Sequence, residues 1–141
     1  MKKPLILVVN DDGISAPGIR KLIGIMNDFG DVVVVAPEGP QSGMGHAITI
    51  NATLRCDKVT MDDGGQTEYS VSGTPVDCVK LAVNQILYRK PDLCVSGINH
   101  GSNSSINVIY SGTMSAAVEG ALEGIPSIGF SLLDFSHDAD F

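Results

Sequence analysis

The sequence predicts an α/β fold of three layers, Rossmann-like, with a mostly parallel sheet, helices on both faces and an antiparallel hairpin excursion. Three observations predict it. Short continuous apolar runs recur along the chain, segments of helical spacing separate them, and one central stretch alternates polar with apolar residues.

Leu5-Ile-Leu-Val-Val9 is an unbroken apolar run, which suits a central parallel strand buried on both faces. It stops at Asn10-Asp-Asp-Gly13. Pro17 then stands where a first helical turn tolerates it, and Ile19, Leu22, Ile23 and Met26 recur at helical spacing until Gly30. Asp31-Val-Val-Val-Val-Ala36 is a second buried strand closed by Pro37, so the opening third reads as a βαβ unit with a right-handed crossover.

Ile48 and Ile50, then Arg55 to Met61, then Tyr69 and Val71 alternate with polar neighbours around the turn signal Asp62-Asp-Gly-Gly65. This is the hairpin. Thr74-Pro-Val-Asp77 places a hydroxyl cap, a proline and an early acid ahead of Val76, Val79, Val83 and Ile86, which marks a helix start; Pro91 ends the segment. Leu93-Cys-Val95 reads as a third short strand, followed by a long polar loop from Ser96 to Gly112. Met114, Ala117, Val118, Ala121 and Leu122 form an apolar stripe at helical spacing, Gly124 stops that helix, and residues 125–132 supply the last strand.

At 141 residues, with 43% hydrophobic and 18% charged, the chain is long enough for one domain with its own core, and residues 1–141 are read as that single unit. Nine Lys and Arg against 16 Asp and Glu leave a net charge of −7, which repels a polyphosphate backbone. No nucleic-acid polymer is expected as a partner. Cys56, Cys78 and Cys94 form no metal-type spacing and fall on predicted elements, so they read as reduced, inert small hydrophobes. With no leader-like start and no apolar run near the roughly 20 residues of a membrane span, the expected location is cytoplasmic, away from membranes.

Three polar loops, residues 10–15, 37–46 and 96–113, follow strands expected to be parallel neighbours, so they converge at the carboxyl edge of the sheet. Asp11 and Asp12 are adjacent carboxylates there, with Gly13 able to turn the chain. Forced together they repel unless a cation lies between them, and hard oxygen donors favour Mg²⁺, Mn²⁺ or Ca²⁺; a solvated Asx turn explains the same residues equally well. Gly43 and Gly45, in Pro40-Gln-Ser-Gly-Met-Gly-His46, can form an anion nest or simply a flexible turn. Asn99 and His100 add an amide and an imidazole. Ser111 and Thr113 stand where a helix N-terminus can hold a phosphate, or where an ordinary N-cap is needed.

Together, Val8-Val-Asn-Asp-Asp-Gly13 with Pro17-Gly18, Ala36-Pro37 with Gln41-Ser-Gly43, Gly73-Thr-Pro-Val-Asp77, the Val95-Ser-Gly-Ile-Asn99 segment with Gly101 and Asn103, and Tyr110-Ser-Gly-Thr113 resemble the survival protein E (SurE) family. The match spans nearly the whole chain in order. It implies a SurE-like core and a metal-dependent 5′-nucleotidase, a phosphoric monoester hydrolase acting on nucleoside 5′-monophosphates, with 3′-monophosphates and short polyphosphate as further substrates. Carried over by position, it implies Asp11, Asp12, Ser42 and Asn99 as ligands of one divalent ion per subunit, Mg²⁺ or Mn²⁺ ahead of Ca²⁺. Gly43, Asn99, Asn103, Ser111, Gly112 and Thr113 would hold the substrate phosphate, and Asp11 or Asp12 would orient or deprotonate the attacking water.

The resemblance also implies a homodimer or tetramer for the full-length family, whose members continue past Phe141 with a hairpin arm and C-terminal elements. The chain therefore resembles a truncated core, with an uncovered apolar surface expected where the remainder packs. Two other readings stand beside the phosphatase. One is a metal- or nucleotide-binding fragment without turnover. The other is a phospho-signalling receiver, suggested by Ile6 to Asp12 but opposed by Gly97, which stands where a receiver needs its phosphate-accepting aspartate.

Overall fold

The five apolar residues of β1 (Leu5–Val9) are all buried, as a central strand requires. The computed structural model describes residues 2–40, 53–100 and 112–132. After β1 come α1 (Pro17–Met26), β2 (Asp31–Pro37), β3 (Cys56–Val59), β4 (Thr67–Val71) and α2 (Pro75–Leu81). The chain winds on from α2 through a π-helical turn, Ala82–Ile86, to β5 (Leu93–His100), α3 (Gly112–Leu122) and β6 (Ser127–Leu132).

The strands form one sheet in the order β3-β4-β2-β1-β5-β6, and every pair is parallel except β3 with β4. The hairpin expected from the alternation is present, and it does more than leave the sheet and return. Its second strand pairs parallel with β2, Val35 opposite Tyr69, so the hairpin extends one edge. Ile48 and Ile50 lie outside the described residues.

Alternation along β1 divides the core. Ile6 and Val8 face α1, packing with Ile19, Leu22, Ile23 and Val34. Leu7 and Val9 face the other way, toward Cys78 and Val79 of α2 and Ala116 of α3. Each of the Ile, Leu and Val side chains among these, fully buried, contributes roughly 1.5–3 kcal/mol. The crossovers β1 to β2 and β4 to β5 traverse the sheet in opposite directions, and right-handed connections then place their helices on opposite faces. The reversal falls between β1 and β5, and ligands of open α/β sheets bind at the carboxyl ends of such a strand pair.

Local chemistry accounts for the helix ends. At α2 the Thr74 hydroxyl accepts from the Asp77 amide, and the Asp77 carboxylate accepts from the Thr74 amide, a reciprocal capping box with Pro75 as first helical residue. At the end of α3, Gly124 adopts φ +80°, its N–H donates to Ala121 at 2.9 Å, and the Ile125 N–H donates to Gly120 at 3.0 Å. That is a Schellman ending, which favours glycine at this position.

Two expectations are corrected. The strand read as Leu93 to Val95 continues to His100, because a bulge between Ser96 and Asn99 keeps β5 paired with β6. Gly97 sits in that bulge at φ +135°, and the Gly97–Ile98 peptide is cis. The apolar stripe on α3 is only partly the buried face: Ala117 is buried, but Val118 is 44% and Leu122 73% exposed, and the buried side is completed by Thr113, Ser115, Ala116, Glu119 and Gly120. The reason is proximity. A Cβ on Gly120 would collide with Ser127 Oγ and press on Cys94, so small residues decide which side meets the sheet. Glu119, buried on that side, is paired with Lys80 of α2 at 3.1 Å.

Among the described residues, no helix is long and apolar enough to cross a membrane. Cys78 and Cys94 are buried as expected, whereas Cys56 is exposed, because β3 is an edge strand.

Candidate active site

The chain leaves β1 at Asn10 and turns at once. The Asn10 side chain closes that turn from both sides, its Nδ2 donating to the Gly13 carbonyl at 2.8 Å and its Oδ1 accepting from the Gly13 amide at 3.3 Å. Gly13 adopts φ +106°, which glycine reaches without steric cost. Beyond it the Ile14 N–H donates to the Pro37 carbonyl at 2.8 Å, so the loop after β1 is tied to the end of β2. Gly13 also lies against the backbone of Gly39.

This turn swings Asp11 inward and leaves Asp12 half-buried. Asp11, 4% exposed, meets the start of α3: the Thr113 hydroxyl donates to its Oδ1 at 3.2 Å, and the Gly112 amide also donates to its carboxylate. A Cβ on Gly112 would collide with the Asp11 Cβ, so glycine is what lets the helix end approach this closely. Burial, and next the neighbouring Asp12 charge, push the Asp11 carboxyl up to about 6 against the pull of those two donors.

Asn99 reaches the same edge from β5. Val9 of β1 is in register with Ser96, so Asp11 and Asn99 both lie just past the paired ends of adjacent strands. The bulge at Gly97 and Ile98 sets where Asn99 emerges, and Asn99 is opposite Ser131 of β6. Gly18 of α1 packs directly on the Ile98 carbonyl, with no room for a Cβ. The first helix and the fifth strand therefore meet beneath the crevice.

Of the residues named from the sequence, Asp11, Asp12, Gly112 and Thr113 come together, and Asn99 joins their edge of the sheet. Ser42, Gly43, Asn103 and Ser111 lie outside the described residues. Gly112 and Thr113 were expected to hold phosphate; in the structure the amide of the first and the hydroxyl of the second turn to Asp11. Two residues here carry no catalytic signature in the sequence. Asn10 shapes the turn, and Arg20 donates to the Ile14 carbonyl from α1 at 3.2 Å.

The donor set suits a hard divalent cation. A positive charge beside Asp11 and Asp12 would relieve both the burial cost and the mutual repulsion that raise the Asp11 carboxyl. Among the described residues no three His, Cys, Asp or Glu side chains cluster as a metal group, so an ion here would also draw on neutral oxygen donors.

Comparison with known proteins identifies the family and the fold. The family model described as Survival protein SurE matches residues 6–141. The 5′-nucleotidase SurE of Flavobacterium psychrophilum is 74% identical over 141 residues, covering 100% of this chain and 55% of the relative. The 5′-nucleotidase SurE of Flavobacterium johnsoniae is 77% identical over 140 residues, covering 99% of this chain and 54% of the relative. The chain thus spans about half the length of these curated relatives. The crystal structure of the SurE protein from Aquifex aeolicus superposes with a TM-score of 0.86 at 46% identity, covering 95% of this chain and 53% of that one. A receiver's acceptor aspartate has no counterpart here, since its place is taken by Gly97 in the bulge. With a shared fold and a family match from β1 to Phe141, the chain belongs to the survival protein SurE family.

Proposed function

We propose that this chain is the core of a divalent-metal-dependent phosphatase that hydrolyses nucleoside 5′-monophosphates. The observation that carries the reading is the buried Asp11 carboxyl, pushed up to about 6 beside Asp12 and held at the helix N-terminus by Thr113 and Gly112. Relatives carrying the name 5′-nucleotidase SurE support it.

Asp11, Asp12 and Asn99, with Ser42, would hold one ion, Mg²⁺ or Mn²⁺ ahead of Ca²⁺. A bound ion of this kind polarises phosphoryl oxygens and makes water more acidic. Asp11 is too buried and too firmly held to swing, so its part is to fix the geometry of the site. Half-buried Asp12 is better placed to orient the attacking water and accept its proton. Gly43, Asn99, Asn103, Ser111, Gly112 and Thr113 would face the phosphate, with Gly112 and Thr113 acting partly through their hold on Asp11. The same site would take 3′-monophosphates and short polyphosphate. We place the protein in the cytoplasm as a single phosphatase unit, a homodimer or tetramer when the full family length is present, without nucleic-acid or membrane partners.

The test is phosphate release from a panel of 5′- and 3′-nucleoside monophosphates with Mg²⁺, Mn²⁺ or EDTA, beside an Asp12→Asn control. Release that requires metal and disappears in the control is expected. Release that persists in EDTA and in Asp12→Asn would overturn the reading.

A further inference from the structure

Arg20 occupies an unusual position for a charged residue. It lies on the first turns of α1, between the buried Gly18, Ile19 and Leu22, and its guanidinium runs under the loop toward β4. There it meets Glu68, 2% exposed, which projects from β4 at the level of Val34. The two form a parallel fork, Nη1 to Oε1 at 2.5 Å and Nη2 to Oε2 at 3.0 Å. Nη2 also donates to Asp62 Oδ2 at 2.5 Å, and Gln66 ties Asp62 to Glu68 at 2.7 and 3.0 Å.

A buried ion pair is weak evidence for stability, because desolvation consumes most of its Coulombic gain. An apolar pair would fill this space as well. What an apolar pair could not do is use a further donor, and Nη1 has one: it donates to the Ile14 carbonyl at 3.2 Å. Ile14 is two residues beyond Asp12. Its amide is already held by the Pro37 carbonyl, so Arg20 closes the second side of the same peptide segment. With Asn10 bracketing Gly13, the loop is pinned on consecutive residues directly after the acidic pair.

We propose that Arg20, oriented by Glu68, is a positioning residue that fixes where the Asp11-Asp12 loop presents its carboxylates. The effect runs through the Ile14 carbonyl, and only a planar fork can engage Glu68 at two points while donating to that carbonyl. Lysine keeps the charge but not the geometry. The hairpin turn at Asp62 to Gln66 thereby becomes part of the support of the metal loop. This rests on the metal reading of Asp11 and Asp12 given above.

The test titrates Mn²⁺ by calorimetry into the parent protein, Arg20→Lys, Glu68→Gln and Val32→Ala. Val32→Ala removes buried volume at the opposite end of β2 and serves as a destabilised control. Arg20→Lys is expected to weaken Mn²⁺ binding about tenfold or more, and to lower kcat with KM nearly unchanged. Glu68→Gln should move both the same way and by less, since its amide oxygen still accepts one bond; it also carries the test if Arg20→Lys fails to fold. Mn²⁺ affinity and kcat in Arg20→Lys and Glu68→Gln that match Val32→Ala at equal Tm loss would overturn the proposal. A parent protein that binds no Mn²⁺ would overturn the metal reading instead. In that case hydrogen exchange at the Ile14 amide decides: faster in Arg20→Lys than in Val32→Ala upholds the clamp, and equal rates overturn it.

Discussion

The Thr113 hydroxyl donates to Asp11 Oδ1 at 3.2 Å, joining residues 102 positions apart in the chain. The bond links the loop after β1 to the first turn of α3, and it forms because β5, which precedes α3, pairs with β1. With the Gly112 amide it opposes the burial and the Asp12 charge that disfavour the ionised carboxylate.

That balance predicts a conflict between stability and function at Asp11. A carboxyl raised from 3.8 to about 6 penalises the folded state at any pH above the raised value, and the penalty vanishes below the unfolded value. Asp11→Asn removes the charge and keeps an acceptor for Thr113. In EDTA at pH 7.5 it should therefore be more stable than the parent, by at most about 3 kcal/mol, seen as a higher Tm in thermal melts. Phosphate release by the same variant should be abolished.

Gly112 should tolerate no side chain. A Cβ there would enter the Asp11 side chain, so Gly112→Ala must push α3 and the acidic loop apart, at a cost of about 1–3 kcal/mol. Gly24→Ala, in open space on α1, is the matched control and should cost nothing measurable. Urea melts of the two variants, with Mn²⁺ titrations alongside, would separate the effects.

Acid should loosen the hairpin support. The Arg20 guanidinium and Gln66 hold Asp62 down to about 2, and Arg20 and Gln66 also hold Glu68 below its ordinary value against its burial. A lowered folded value stabilises above the unfolded value and is lost as pH falls through the folded one. Stability should therefore decline from about pH 4.5 toward the folded Asp62 value of about 2. In Glu68→Gln the decline should be shallower, as measured by urea midpoints across that range.

The thiols should differ in kind. Burial pushes Cys94 up to about 12 and Cys78 well above its ordinary value, while Cys56 is exposed and only raised. A thiol reagent at pH 8 should modify one cysteine per folded chain, Cys56, and all three in denaturant. Peptide mapping would identify it, and rapid labelling of Cys94 in the native protein would contradict the packing of α3 on β5.

The elements legible in the sequence were those whose cause is local. Five consecutive apolar residues made β1 recognisable, Thr74, Pro75 and Asp77 made the start of α2 recognisable, and Gly124 marked the end of α3. The acidic pair and the helix start at Gly112 and Thr113 were likewise visible as candidates. Long-range packing was not. The stripe from Met114 to Leu122 has helical spacing, yet the sheet takes the side of the helix with the smallest residues. Arg20 has no pattern to announce it, since Asp62 and Glu68 lie 42 and 48 residues away.

Local signals along the chain set the strand and helix order and the turn at Asn10 to Gly13, because propensity, capping and hydrophobic runs act over a few residues. Long-range packing is what buries Asp11 against Gly112 and Thr113, carries β5 through a bulge to Asn99, and brings Arg20 onto the loop. Those outcomes depend on strand order and close backbone approach, and strand pairing brings together segments whose separation along the chain exceeds any local signal.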